Sequence, residues 1–465
     1  MTMVPGDIAH VIALPYSLSI EAWYEALRDK RLPQLYCSGD GSHPAGNVDF
    51  VCADPLAIVQ HHRGRTRVLD CLDGSVVEDD SAPFQALAAC CPIQPRASEP
   101  ELLFTGGAAG YFGYELLHGQ NRIARDMAAD EADIAAPDML VGIYDWVIQR
   151  DHRRQQSRLI VRRTTPAREA AILATAQSLA QTPHVPRRRE DFRLLSPFRS
   201  NFTREEYLSR FQRVIDYIHA GDCYQVNLAQ CFTATCAGDG WQAFKQLQQR
   251  AQAPFAAFIE HEALQVLSFS PERFLQVREG RVLTQPIKGT RPRSAEPAQD
   301  LANRLDLEGS AKDRAENLMI VDLLRNDLGR VCRFGSVAVD KLFETQSFTN
   351  VHHLVSTISG VLERPQDVYR LIEAGFPGGS ITGTPKIRAM EIIGELETRP
   401  RSVYCGAIGW VDCNGNMDSN VAIRTLVREG DRIHAWGGGG LVADSVGAEE
   451  YQETLDKISM FIDNL

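Results

Sequence analysis

Hydrophobic and polar positions fall into two rhythms along this chain. Up to residue 163 the apolar residues come in short strand-like runs: "VDFVCA" from Val48, "RTRVLDCL" from Arg65, "MLVGIYDWVIQR" from Met139 and "SRLIVRR" from Ser157. Turn-forming clusters such as "SGDGSHPAGN", residues 38–47, separate them. The stretch "GGAAGYFGYELL", from Gly106 to Leu117, is too rich in glycine for a helix interior and predicts close backbone approaches. Residues 164–200 read differently, as a short helix ("TTPAREAAILATAQSLAQTP") followed by a basic, proline-broken connector ("HVPRRREDFRLLSPFRSN"). At Thr203 a helical rhythm begins. Thr203 and Glu206 form a capping box, Tyr207, Phe211, Val214, Ile215 and Ile218 keep helical spacing, and Gly221 supplies the stop. Strand-like runs follow over 223–235, 254–260, 263–270 and 273–285, then strong helices near 311–328 and 447–463, with further strands at 402–411 and 431–440 between them. Strands grouped in runs, with helices set apart, predict α+β layers instead of a regularly alternating parallel fold.

This divides the chain into an N-terminal region, 1–163, a connector, 164–200, and a C-terminal region, 201–465, the first and last interlocked in one fold. A length of 465 residues allows two domains or one large core built from two halves. Hydrophobic residues at 44% and charged residues at 23% are those of a folded globular chain. The net charge of −11 argues against a nucleic-acid binder, although a local cluster of cations can still serve an anionic ligand in one cleft. No basic segment precedes the first apolar run, which Asp7 interrupts, so no signal peptide is expected. No apolar stretch approaches the ~18 residues of a membrane span. Eleven cysteines without framework spacing suit reduced thiols. A cytoplasmic protein is expected.

Several constellations could carry chemistry. In "SAKDRAENLMIVDLLRNDLGR", Asp322, Arg325 and Asn326 mark a polar side, while Asp313 and Glu316 align with Ile320, Leu323 and Leu324. Two acids in an apolar stripe need pairing or a metal, unless first-turn placement keeps them wetted against the helix dipole. The helix leaves both readings open. In "GAEEYQETLDKISMFI", Tyr451, Leu455, Ile458 and Ile462 form the predicted apolar face, and Glu450 and Glu453 fall on a solvated one. Two acidic pairs on two helices could nonetheless supply an all-oxygen site, for which Mg²⁺ is the natural occupant. The run "FPGGSITGTPKIRAMEII" has Gly378 and Gly383 at P-loop spacing, but Thr384-Pro385 follows Gly383 where a nucleotide loop requires Lys-Ser/Thr. Its exposed amides, and those of "WGGGGLVADS", suit carboxylates. Arg424, in an apolar strand-like stretch, calls for an anion or an internal salt bridge. His352 and His353, adjacent on a strand, point to opposite faces and do not form a metal pair. Lys288 in "QPIKGT" sits between Pro286 and Gly289, either on a turn or placed against a substrate.

Taken together, "SPERF", "PIKGT", the 310–330 helix, "VHHLVST", "PGGSITGTPKIRAMEII", "GGGGLVADS" and "EYQET" resemble the chorismate-utilising enzymes, which include anthranilate, isochorismate and aminodeoxychorismate synthases. The N-terminal "DPLAI", "GGAAGYFGYEL" and "MLVGIYDW" resemble the amidotransferase-dependent members. The resemblance implies a four-layer α/β/β/α fold with a cleft between the layers. It implies Mg²⁺ on the ring carboxylate of chorismate, held by Glu316 and Glu453, with Asp313 and Glu450 acting through water, which reverses the solvated reading of the last helix. Arg424, Tyr404 and the amides of Gly438, Gly439 and Gly440 match positions that hold substrate carboxylates. Ser380 and His353 match positions lining the ring, and Thr382, Gly383, Lys386 and Gln225 are grouped with the substrate-binding residues. Glu272 matches the acid assisting departure of the carbon-4 hydroxyl.

Lys288 separates the subgroups, because anthranilate synthases resemble this chain but carry alanine there. In aminodeoxychorismate synthases a lysine at this position attacks ring carbon 2, and ammonia then enters at carbon 4; Mg²⁺ and the nearby Lys386 or Arg424 would favour its neutral form, and the nearby carboxylates oppose it. Gln225 stands where isochorismate synthases place a water-activating lysine. Thr384 departs from the alanine frequent in the family. No G-x-C-x-G nucleophile elbow surrounds any cysteine, which implies ammonia from a separate glutamine amidotransferase subunit. The chain stops at Leu465, so no fused lyase is expected, and 4-amino-4-deoxychorismate would pass to a separate aminodeoxychorismate lyase for 4-aminobenzoate and folate synthesis. Two rival expectations are an anthranilate synthase component I and a non-catalytic chorismate- or tryptophan-binding regulator, with Ser38, Pro254 and Phe255 as a candidate tryptophan pocket.

Overall fold

The computed structural model describes residues 4–39, 47–79, 81–95, 101–119, 123, 134–181, 189–348 and 351–465. Residues 40–46 of the predicted turn cluster and 182–188 of the connector lie outside the described residues. Two large sheets, antiparallel at every described strand pairing, form the centre. The first runs from Ile8–Leu14 through Gln156–Arg162, Trp146–Asp151, Val48–Cys52 and Gln34–Cys37 to Phe255–His261, Leu264–Ser270, Thr425–Glu429, Arg432–Leu441 and Gln225–Ala237. The second runs from Ile287–Pro292 through Val351–Val361, Arg281–Thr284, Arg273–Arg278, Met417–Val421 and Ala407–Asp412 to Gly107–Phe112, Met139–Tyr144, Ala57–His62, Arg65–Asp70 and Val76–Asp79. Both regions of the chain therefore contribute strands to both sheets.

The run "MLVGIYDWVIQR" divides between the sheets. Met139–Tyr144 lies in the second and Trp146–Asp151 in the first, with Asp145 fully buried at the crossing and paired to Arg168 at 2.6 Å. Between the sheets Phe50 packs edge-on to Phe104 and Trp410, beside Ala109 and Tyr144. The glycines of "GGAAGYFGYELL" permit that fit. A methyl group on Gly110 would stand 2.0 Å from the Leu140 carbonyl oxygen, and one on Gly107 2.4 Å from that of Val411. Helices cover the outer faces: Ile20–Leu27, Gly240–Ala251 and Gly447–Ile462 on the first sheet, Pro83–Cys90 and Ala311–Gly329 on the second. The layers are thus α/β/β/α, an α+β fold. The helix Arg204–Ala220 has the predicted Thr203–Glu206 capping box and the left-handed Gly221 stop. No helix among the described residues is long and apolar enough to cross a membrane.

Candidate active site

Lys288 owes its position to a bulge. The strand Ile287–Pro292 pairs with Val351–Val361, and its register slips between Lys288 and Thr290. Gly289 is the extra residue, at φ +75°, and a side chain there would strike Asp313 and Leu307 at 2.8 Å. Only glycine lets this strand press against the helix Ala311–Gly329, whose N-cap Ser310 accepts a hydrogen bond from the Asp313 amide. Lys288 and Glu316 are brought to one cavity by that contact.

The helix Gly447–Ile462 approaches by a related device. It lies on the glycine run of Arg432–Leu441, where a methyl on Gly437 would stand 2.2 Å from the Thr454 carbonyl oxygen. The face it buries is Glu450, Thr454, Ile458 and Phe461, while Ile462 stays exposed. This corrects the face predicted from periodicity. Apolar count favoured Tyr451, Leu455 and Ile462, but a sheet surface without side chains accepts the small Thr454 and leaves room for Glu450.

The resulting cavity, of about 480 Å³, is lined by twelve of the predicted residues: Lys288, Glu272, Asp313, Glu316, Glu450, Glu453, Arg424, Tyr404, Gly438, Gly440, Ser380 and His353. Burial raises the Glu272 carboxyl to about 7, against the lowering effect of Lys288, the Ser380 hydroxyl and the Ile287 amide. Burial also raises Glu316, with Lys288 and Lys312 opposing and the charges of Asp313 and Glu453 adding to it. Glu450 is raised by burial and by Glu453, although the Ser445 hydroxyl donates to it at 2.7 Å. Arg424, at φ +50°, opens into the cavity, and neither its guanidinium nor the Lys288 amine has a hydrogen-bond or ion-pair partner among the described residues. The internal salt bridge considered for Arg424 is absent there. Tyr404 stacks on Trp436 at 5.8 Å, and the Nδ1 of His353 lies 2.9 Å from the Thr290 hydroxyl. His352, on the opposite face, is buried against Asp300 and Ser347.

Five predicted residues do not line the cavity. Lys386 points away, its Nζ donating at 2.8 Å to both Asp327 and the Gly375 carbonyl, so it is not the cation beside Lys288. The buried Asp327 claims the ammonium that the resemblance assigned to substrate binding. The Thr382 hydroxyl donates to the Gly378 carbonyl and shapes the turn. Gly383 packs on the Gln225 carbonyl, Gly439 on the Glu450 carboxylate, and Gln225 is wholly buried behind Gly440. Conversely, Asn227, Lys312, Trp436 and Lys457 line the cavity without having been singled out. Two of these had a signal in the sequence: Trp436 shares strand parity with Gly438 and Gly440, and Lys457 lies one helical turn from Glu453, bonded to it at 2.5 Å.

Among the described residues no group of three or more His, Cys, Asp or Glu gathers as a protein-only metal cage. Magnesium does not need one, since it binds through one or two carboxylates and keeps water and substrate oxygens. The donor chemistry fits that ion. Glu316 and Glu453 come from different helices and line one cavity, and the charge of Glu453 adds to the rise in the proton affinity of Glu316. A separate cavity of about 70 Å³ between the sheets is lined by Ser38, Pro254 and Phe255 with Trp410 and Arg278.

Glu272 yields a directional expectation. With its carboxyl at about 7, the proton is held below that pH and lost above it, so a proton-donating role declines as pH rises through 7. The Glu272→Gln variant should lose roughly 10²–10⁴-fold in kcat. It should also be the more stable protein at pH 8: a raised carboxyl leaves stability intact below its unfolded value near ~4.3 and costs stability as pH climbs to 7. Rate–pH profiles and thermal melts at pH 5 and 8 check both.

A catalytic cavity between two antiparallel sheets, with acids on two helices facing unpaired cations, defines an enzyme for a polyanionic small molecule. Residues 35–463 match the chorismate binding enzyme family, and the chain belongs to it. It is 45% identical over 460 residues to aminodeoxychorismate synthase component 1 of Klebsiella aerogenes, covering 98% of each chain. It is 32% identical over 444 residues to anthranilate synthase component 1 of Geobacillus stearothermophilus, covering 91% of this chain and 87% of that one. The crystal structure of anthranilate synthase component I from Streptococcus pneumoniae TIGR4 superposes with a TM-score of 0.77 at 30% identity, covering 90% of this chain and 93% of that one.

Proposed function

We propose that this protein is the synthase component of an aminodeoxychorismate synthase, converting chorismate and ammonia to 4-amino-4-deoxychorismate and water. The observation that carries the reading is Lys288: an unpaired amine in the cavity, beside a carboxyl raised to about 7. Chorismate binds with its carboxylates toward Arg424, Tyr404 and the amides of Gly438 and Gly440. Glu316 and Glu453 would hold Mg²⁺, with Asp313 and Glu450 acting through water, and the bound ion would neutralise the charge of the ring carboxylate. Lys288, in its neutral form, attacks ring carbon 2, the ring double bonds shift, and the carbon-4 hydroxyl leaves as water with the proton of Glu272. Ammonia then attacks carbon 4, the double bonds return, and the bond from carbon 2 to Lys288 breaks. Ser380 and His353 flank the ring.

Ammonia is supplied by a separate glutamine amidotransferase subunit, and the product is passed to a lyase, all in the cytoplasm. An anthranilate synthase would leave Lys288 without a role. With ammonia withheld, intact-protein mass spectrometry of the chain mixed with chorismate and Mg²⁺ should show an increase of one chorismate less one water. The increase should map to the peptide of Lys288 and be absent from Lys288→Ala. An unmodified wild-type protein that forms aminated product once ammonium is added overturns the covalent route.

A further inference from the structure

Asn317 follows Glu316 on the helix Ala311–Gly329 and is wholly buried, on the face that also buries Ile320, Val321 and Leu324. An amide among apolar neighbours costs stability unless both its ends are bonded. Here both are. Its Oδ1 accepts from the Ser356 hydroxyl at 2.5 Å, and its Nδ2 donates to the Leu354 carbonyl at 3.4 Å. Ser356 is equally buried, and its side-chain oxygen also accepts from the Phe343 amide at 3.1 Å. That third bond needs a bulge. Lys341 pairs with Thr357 and Glu344 with Val355, so Leu342 and Phe343 both face Ser356, and Phe343 takes φ +58°. The strand that receives the Asn317 amide is also the one that sets the register of Lys288. Lys288 pairs with Leu354 across the ladder, and the Ser356 amide donates to the Pro286 carbonyl at 3.3 Å. One residue before Asn317, and so ~100° around the helix axis, Glu316 lines the cavity of Lys288. Neither Asn317 nor Ser356 lines it.

We propose that Asn317 and Ser356 are a positioning pair, which fixes the rotation of the acidic helix against the strands that carry and register Lys288, so that Glu316 and Lys288 meet at one cavity; the inference rests on the function proposed above. Apolar side chains of the same size would fill the space but let the helix turn or slide. An amide matched to one hydroxyl and one carbonyl accepts a single arrangement. The pair acts through Glu316 and Lys288 and touches no substrate.

The test uses the full chain. Asn317→Leu keeps the shape and removes the amide, and Ser356→Ala removes only the hydroxyl. Each should bind Mg²⁺ alone about tenfold more weakly by calorimetry, as expected when a partner behind a metal ligand is lost. With chorismate and ammonium chloride at saturating Mg²⁺, kcat should fall about 10²-fold, the cost of a small misplacement of reacting groups. The KM for chorismate should stay near the wild-type value, and the melting temperature within about 5 °C of it. Ser356→Thr, which keeps the hydroxyl, should retain both Mg²⁺ affinity and kcat. An unchanged Mg²⁺ affinity or an unchanged kcat in a folded Asn317→Leu or Ser356→Ala chain overturns the proposal. So does a fall in melting temperature beyond about 10 °C in both, which marks the pair as structural. A wild-type chain that binds no Mg²⁺, or makes no product aminated at carbon 4, overturns the proposed function and this inference with it. A wild type that does both, beside variants that match it, overturns the inference alone.

Discussion

Lys288→Ala should make no measurable 4-amino-4-deoxychorismate from chorismate and ammonium, a loss on the order of 10³–10⁶-fold, as expected when a nucleophile is removed from a cooperating set. The loss should fall on kcat. In the proposed reading chorismate is held by Arg424, Tyr404 and the acidic helices, none of which hydrogen-bonds or ion-pairs with Lys288 among the described residues. Calorimetric titration of the variant with chorismate in the presence of Mg²⁺ should therefore still show binding. The fold should also survive, because Lys288 makes no hydrogen bond or ion pair among the described residues and the bulge is set by Gly289. Product chromatography beside a thermal melt separates loss of chemistry from loss of structure. A folded variant that retains amination at carbon 4 would reduce Lys288 to a bystander.

The second large effect lies beneath the site. Arg401 is a cation at 1% exposure, forked onto Glu397 at 2.6 and 2.9 Å. Its remaining donors reach the Ile381 carbonyl at 2.8 Å and the Asn227 carbonyl at 2.7 Å, and its ring-side neighbour is Tyr114 at 4.6 Å. Glu397 in turn accepts from the Ala229 amide. One buried pair thus ties the turn carrying Ser380 to the strand carrying Gln225 and Asn227. Arg401→Leu leaves Glu397 charged without its partner and should cost ~3–5 kcal/mol in urea unfolding. Arg401→Lys should recover only part, since an ammonium cannot fork onto a carboxylate and two carbonyls together. Replacing both partners, Arg401→Leu with Glu397→Leu, should be markedly less damaging than the single change.

How much of this was legible in the sequence depends on what each residue answers to. Thr203, Glu206 and Gly221 act locally, and their cap and stop are formed as the spacing predicts. The acids of the helix Ala311–Gly329 also follow their period, with Asp322, Arg325 and Asn326 exposed. The last helix does not. Its buried face was decided by glycines on a strand it contacts only in the folded chain, and periodicity carries no information about that partner. Lys386 was misplaced for a similar reason: its partner Asp327 lies 59 residues away in the chain. The division of "MLVGIYDWVIQR" between two sheets was equally hidden, because both halves are apolar and only the buried Asp145 marks the crossing. Gln225 was noted for its identity, but its isolation from any partner is a fact of packing alone.

The most direct test of the account is the position of nitrogen in the product. Wild-type protein would be incubated with chorismate, Mg²⁺ and ¹⁵N-ammonium, and the product's labelled carbon–nitrogen bond located by NMR. Nitrogen on ring carbon 4, para to the ring carboxylate, is the predicted result. Nitrogen on carbon 2, with anthranilate as the product, would contradict the role given to Lys288 and the function built on it.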